Sequence, residues 1–145
     1  MGVQGARRVV AEAFAVSGGN PLFLSFAQVR ELHRESLAQY GGTDGIRDRG
    51  QIESALGAAE SAFWYTGDLF RTAATYAYCI AENQAFLDGN KRTGILAAVI
   101  FLRMNGYTCP MNTLVLHDAM IRIAKKTLTK EKLGELLKLL CASGS

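Results

Sequence analysis

The clearest periodicity in the chain lies between Ser25 and Tyr40, where Phe26, Val29, Leu32, His33, Leu37 and Tyr40 recur at helical spacing. Ser25 and Gln28 form a capping-box pair ahead of this stripe, and Gly41-Gly42 supplies a helix stop. A second pair, Asp48 with Gln51, opens a helix through Ile52, Ala55, Leu56 and Ala59. The run Phe63-Trp64-Tyr65-Thr66-Gly67 is aromatic and turn-bearing, and reads as an exposed loop or short hairpin. Asp68 caps the next helix, through Phe70, Ala74, Ala77, Tyr78 and Ala81; a break over 85–90 follows. A helix then starts near Asn90, passes Ile95, Ala98, Val99 and Leu102, and stops at Asn105-Gly106. Two further helices, 113–126 and 129–140, complete the pattern, and there is no internal repeat. The expectation is an all-α, compact bundle of about six helices with at most a short hairpin flap. Residues 1–22 read as an arm or short helix before the single domain at 23–145, because Ser17-Gly18-Gly19-Asn20-Pro21 is a loop signal.

Composition adds limits rather than direction. With 145 residues the chain can bury roughly two thirds of its unfolded surface, so it needs neither metal nor disulfide to hold it. No apolar run approaches the roughly 20 residues that span a bilayer, and Glu12 interrupts the only leader-like stretch. These features imply no membrane and a cytoplasmic protein. The net charge of +3 is too small to demand nucleic acid, and the Lys125, Lys126, Lys130, Lys132 cluster is more simply a solvated helix end. Cys79, Cys109 and Cys141 are isolated and odd in number, with no zinc-ligand spacing, and Cys79 reads as a small buried side chain.

The chemistry concentrates in Asn83-Gln84-Ala85-Phe86-Leu87-Asp88-Gly89-Asn90-Lys91-Arg92-Thr93-Gly94. This is a tight loop that ends in a polar helix start. Free N–H groups and the positive end of the helix dipole suit an anion there, and Gly89 lets backbone approach it. Lys91 and Arg92 add two cations to the same turn, and Asp88 could hold Mg²⁺ bridging phosphate oxygens. The plainer alternative is that Asp88 only caps the helix and the cations are solvated. Two cations at a helix N-terminus oppose the dipole by up to about 1 kcal/mol each, which favours a neutralising ligand. The residues alone therefore point to a phosphate or nucleotide site.

Phe86, Asp88, Gly89, Asn90, Lys91 and Arg92 match in register the Fic/Doc signature His-x-Phe-x-Asp/Glu-Gly/Ala-Asn-x-Arg. Tyr40-Gly41-Gly42, Asp48, Gly50 and Glu53-Ser54-Ala55-Leu56 resemble the N-terminal half of its Doc (death on curing) branch. Phe101-Leu102 and Asn105-Gly106-Tyr107 resemble the end of its central helix. The resemblance covers about residues 23–140 and implies roles. Asp88 orients Mg²⁺, the Gly89–Asn90 region forms an anion nest, and Arg92 binds a second phosphate. Lys91 is the Doc-like choice, implying transfer of the terminal phosphate of ATP to a protein hydroxyl, whereas members with Gly there transfer AMP. The implied target is a translation factor such as elongation factor Tu.

Gln84 departs from the pattern, since the family carries its general-base histidine there. Glutamine donates and accepts hydrogen bonds but cannot take up that proton near neutral pH. Losing a general base costs about 10²–10⁴-fold in rate. Ala85 replaces the signature's usual proline, and two adjacent departures favour natural divergence over a silencing substitution. The remaining histidines do not compensate: His33 lies on the apolar stripe as a packing residue, and His117 has no support as a base. Thr127 with Glu131 imitates the family's inhibitory-helix motif, but Lys132 breaks it. Without an internal inhibitor, the resemblance implies an external antitoxin whose disordered segment folds into a groove. The leading expectation is thus a Doc-like toxin of a toxin–antitoxin pair, attenuated or inactive. A catalytically dead nucleotide- or antitoxin-binding module and an AMP transferase are the alternatives.

Overall fold

The computed structural model describes residues 21–109 and 113–143; residues 1–20 of the expected 1–22 arm lie outside the described residues. The described residues form six helices: α1 (Phe26–Tyr40), α2 (Arg49–Thr66), α3 (Leu69–Asn83), α4 (Asn90–Met104), α5 (Thr113–Ala124) and α6 (Lys130–Leu140). Two two-residue strands, β1 (Tyr107–Thr108) and β2 (Ala142–Ser143), pair antiparallel. The all-α bundle expected from the pattern is the observed architecture.

Its starts follow the capping chemistry. Ser25 and Gln28 form the full reciprocal box, with bonds of 3.2 and 2.8 Å. Asp48 provides one half of a box, accepting the Gln51 N–H at 3.3 Å. Asp68 accepts from both Phe70 and Arg71, and Thr129 caps α6 through Lys132.

The segment 63–67 corrects the expected loop or hairpin, because α2 continues to Thr66 and only Gly67 turns, at φ 66°. Phe63 and Trp64 meet the Phe23 ring at 5.8 and 6.2 Å, and Thr66 Oγ1 donates to the Ala62 carbonyl at 2.7 Å. Tertiary contact with Phe23 thus overrides the strand preference of aromatic residues. The β pairing instead joins distant segments, beside a disulfide between Cys109 and Cys141 across 32 residues. Their isolation in sequence concealed that pairing, whereas Cys79 remains a partly buried free thiol.

Helices α3 and α4 form the central pair and are buried on most of their circumference. Tyr76, fully buried on α3, accepts the Leu24 N–H at 2.9 Å and so ties the entering chain to the core. Asn105 holds the same entry from the end of α4, accepting from Leu22 N–H at 2.8 Å and donating to its carbonyl at 2.9 Å. The two central helices approach closely at Gly94, where a Cβ would stand 2.7 Å from the Ala77 carbonyl oxygen. This approach sets the separation of the helix ends that flank the 84–89 loop.

Gly94→Ala therefore forces backbone apart. Overpacking costs about 1–3 kcal/mol, and the better helix propensity returns about 0.5–1 kcal/mol. The net expectation in denaturant unfolding is a loss of about 1–2 kcal/mol. Gly57→Ala, at an exposed α2 position with nothing within 4 Å of the new Cβ, should instead gain about 0.5–1 kcal/mol.

Candidate functional site: the loop between α3 and α4

Helix α3 ends where Gln84 adopts the left-handed conformation, at φ 48° and ψ 45°. That corner turns the chain inward, so Ala85 and Phe86 are buried while Gln84 itself is exposed. Phe86 is fully buried, and its backbone is matched by one side chain. Its N–H donates to Asn90 Oδ1 and its carbonyl accepts from Asn90 Nδ2, both at 3.0 Å. Asn90, expected to bind nucleotide, has its amide side chain engaged within the loop; its contribution to an anion would come from its backbone N–H.

A strap of residues 41–48 braces the loop from outside. The Ala85 carbonyl accepts from Arg47 and Asp48 N–H at 2.7 and 3.0 Å, and Leu87 N–H donates to the Gly45 carbonyl at 3.0 Å. Ile46 and Phe86 form an isolated antiparallel bridge. A Cβ at Gly45 would lie 2.5 Å from Leu87 Cδ1, and one at Gly42 would lie 2.7 Å from Asp88 Oδ2. Both glycines leave room for the loop to seat.

His33 fills the space beneath. Its ring is fully buried and stacks on Phe86 at a centroid distance of 3.8 Å and 10° between planes. Nε2 lies 2.8 Å from the Asp88 carbonyl, while Arg30 Nη1 lies 3.4 Å from Nδ1 and donates to Asp44 Oδ1 at 2.9 Å. A carbonyl only accepts, so the contact assigns the proton to Nε2 and leaves Nδ1 to accept from Arg30. Burial lowers the His33 pKa from its ordinary 6.5, opposed in part by the bond to the Asp88 carbonyl. The expected packing residue therefore also reaches the signature loop.

The charged groups face outward. Asp88 Oδ1 accepts the Gly89 N–H at 2.9 Å, and Oδ2 lies 3.3 Å from the Thr43 N–H. Gly89, left-handed at φ 76°, starts α4 without a side-chain cap. Thr93 N–H bonds the Gly89 carbonyl, leaving the N–H groups of Asn90, Lys91 and Arg92 as the free start of the helix. Arg92 lies over the Tyr40 ring, 5.1 Å from its centroid, and Lys91 is exposed. Among the described residues neither cation forms an ion pair. Gly89, Asn90, Lys91, Arg92 and Asp88 are thus brought together at one helix end, with Gln84 at the opposite end of the same short loop. His117 is exposed on α5 and makes no part of this cluster.

Sequence reasoning missed Arg30, Gly42, Asp44 and Gly45 as supports. The available signal for the three strap residues was the glycine-rich 41–45 stretch, of which Gly41-Gly42 reads as a helix stop and as part of the family resemblance. No group of three or more His, Cys, Asp or Glu among the described residues could form a metal cage. None of their helices is long and apolar enough to cross a membrane.

A profile of the Fic/DOC family matches residues 23–102, more than half of the chain, and this chain belongs to that family. Within it, the chain is 39% identical over 77 residues to the protein kinase Doc of Escherichia phage P1, covering 52% of this chain and 61% of that protein. It is also 39% identical over 71 residues to the toxin Doc of Mycolicibacterium smegmatis, covering 46% and 54% of the two chains. The aligned stretch thus spans between half and two thirds of these relatives.

The lowered His33 pKa gives a pH dependence with a defined sign. The unfolded histidine takes up a proton below about pH 6.5, whereas the folded one resists it. His33 therefore contributes full stability above that pH, and the contribution is lost as pH falls from there towards the folded pKa. The slope in this window approaches about 1.4 kcal/mol per pH unit for one proton. Unfolding measured at pH 7.5 and 5.5 should show this loss for the native chain and a flatter profile for His33→Gln.

Proposed function

We propose that this protein is a Doc-like toxin that binds a nucleoside triphosphate with Mg²⁺ and transfers its terminal phosphate to a protein hydroxyl. The observation that carries this reading is the uncapped start of α4, where free N–H groups and two cations without ion pairs converge. An anion there satisfies the backbone donors and neutralises Lys91 and Arg92 at once. Asp88 is a single exposed carboxylate, which fits Mg²⁺ held between one side chain and substrate phosphates rather than a resident ion in a protein cage. The ion, when bound, would offset charge on the phosphates.

In the proposed reaction Lys91 and Arg92 orient and stabilise the phosphoryl group. The attacking oxygen of the target forms the new P–O bond as the bond to the leaving diphosphate breaks. The hydroxyl proton needs an acceptor. Gln84 can hold the hydroxyl by a hydrogen bond but cannot take that proton, so it leaves to water and the rate is attenuated. Lys91 and the likeness to a protein named as a kinase favour phosphoryl transfer over AMP transfer. The likeness to a protein named as a toxin supports an antitoxin partner; a disordered inhibitory segment and a translation-factor target such as elongation factor Tu are part of the proposal through the signature's resemblance alone. A catalytically silent binding module is the second reading, favoured specifically by Gln84.

Ala85, buried and held by two strap N–H groups, keeps the loop braced without proline. A histidine at position 84 would therefore emerge from the same corner as Gln84. Positioning and electrostatics carry most of phosphoryl transfer, so the native chain should retain measurable activity. Gln84→His should raise transfer of labelled γ-phosphate to a bacterial target by about 10²–10⁴-fold. Normal nucleotide binding with no transfer by either form would give the binding-module reading the lead.

A further inference from the structure

We infer that His33 is a positioning residue for the Asp88 carboxylate, acting through the single peptide plane between Asp88 and Gly89. This inference rests on the proposed reading of Asp88 as the Mg²⁺-phosphate ligand. A peptide unit is planar, and the chain has no cis bond among its described residues, so the Asp88 carbonyl and the Gly89 N–H point in opposite directions. The carbonyl points inward to His33 Nε2 at 2.8 Å. The N–H therefore points outward, where it donates to Asp88 Oδ1 at 2.9 Å. One rigid plate thus carries an inward anchor on one edge and the candidate ligand carboxylate on the other.

The anchor is itself held on one face and one edge. Phe86 covers one ring face at 3.8 Å, Arg30 addresses Nδ1, and Asp44 on the strap holds Arg30 at 2.9 Å. These contacts select the tautomer in which Nε2 carries the hydrogen. A ring that merely filled the core would need neither that tautomer nor a partner at Nδ1. Phenylalanine would fill the space as well, but it would leave the Asp88 carbonyl without its donor and the peptide plane free to rotate.

Three proteins test this: the native chain, His33→Phe, which keeps the stacked ring without an N–H, and His33→Gln, whose amide restores an N–H near the position of Nε2. The readouts are thermal midpoint, the ¹⁵N–¹H signal of Gly89, and titration calorimetry of ATP with and without Mg²⁺. His33→Phe should shift or broaden the Gly89 signal and reduce the Mg²⁺-dependent part of ATP affinity by about 10–100-fold, the usual effect of removing a group that orients a metal ligand. His33→Gln should recover most of both. An unchanged Gly89 signal and Mg²⁺ dependence in His33→Phe, whatever its thermal midpoint, would reduce His33 to a core filler and overturn the inference. Imidazole ¹⁵N shifts of the native chain supply a check that needs no variant, because hydrogen on Nδ1 instead of Nε2 would also overturn it. Native protein that binds no ATP would end the nucleotide reading, while the Gly89 comparison would still decide whether His33 sets the peptide plane.

Discussion

The fully buried Phe86 is the constraint on which this site depends. An aromatic ring drawn into the core between two helices must bring its own peptide groups with it, and buried donors and acceptors without partners cost about 1–3 kcal/mol each. Asn90 resolves this by bonding both the N–H and the carbonyl of Phe86 at 3.0 Å. The loop is thereby closed between Phe86 and the first residue of α4, four positions on. Within that closure the Asp88 carboxylate and the Gly89 N–H turn outward, beside the helix start.

The rest of the fold keeps that closure in register. Gly94 lets α4 lie against the Ala77 backbone of α3, so the helix ends that bound the loop stay at fixed separation. The strap at 41–48 supplies backbone partners to Ala85 and Leu87, and its glycines leave space for Leu87 and the Asp88 carboxylate. His33 meets the loop from below. Both peptide groups of Phe86 and the carbonyls of Ala85 and Asp88 are matched, whereas the cations that face outward have no carboxylate partner among the described residues. This division separates a braced scaffold from an outward surface that, in the proposed reading, an anion would complete. Gln84 sits at the junction, in a left-handed conformation that is uncommon for a residue with a side chain.

Much of this was legible in the sequence because it is local. Caps at Ser25 and Asp68 act over two or three residues, and the signature from Phe86 to Arg92 is contiguous. The rest was hidden because it depends on distant partners. The segment Phe63–Thr66 is helical through the contact with Phe23, some forty residues earlier. Cys109 and Cys141 meet across 32 residues with no spacing to announce it. His33 could be placed on an apolar stripe, but its bond to the Asp88 carbonyl joins residues 55 positions apart. Asn90 was legible as a site residue, but motif position does not reveal that its side chain closes the loop on Phe86.

The central claim is that the start of α4 is a phosphate site, and backbone amides report on it directly. In ¹⁵N–¹H spectra, adding ATP with Mg²⁺ should shift the signals of Gly89, Asn90, Lys91 and Arg92 together along one saturation curve. Arg92→Ala should then require about 10-fold more nucleotide or beyond, because charged hydrogen bonds contribute about 1.5–3 kcal/mol. Shifts centred on another part of the fold, or saturation unchanged in Arg92→Ala, would contradict the account.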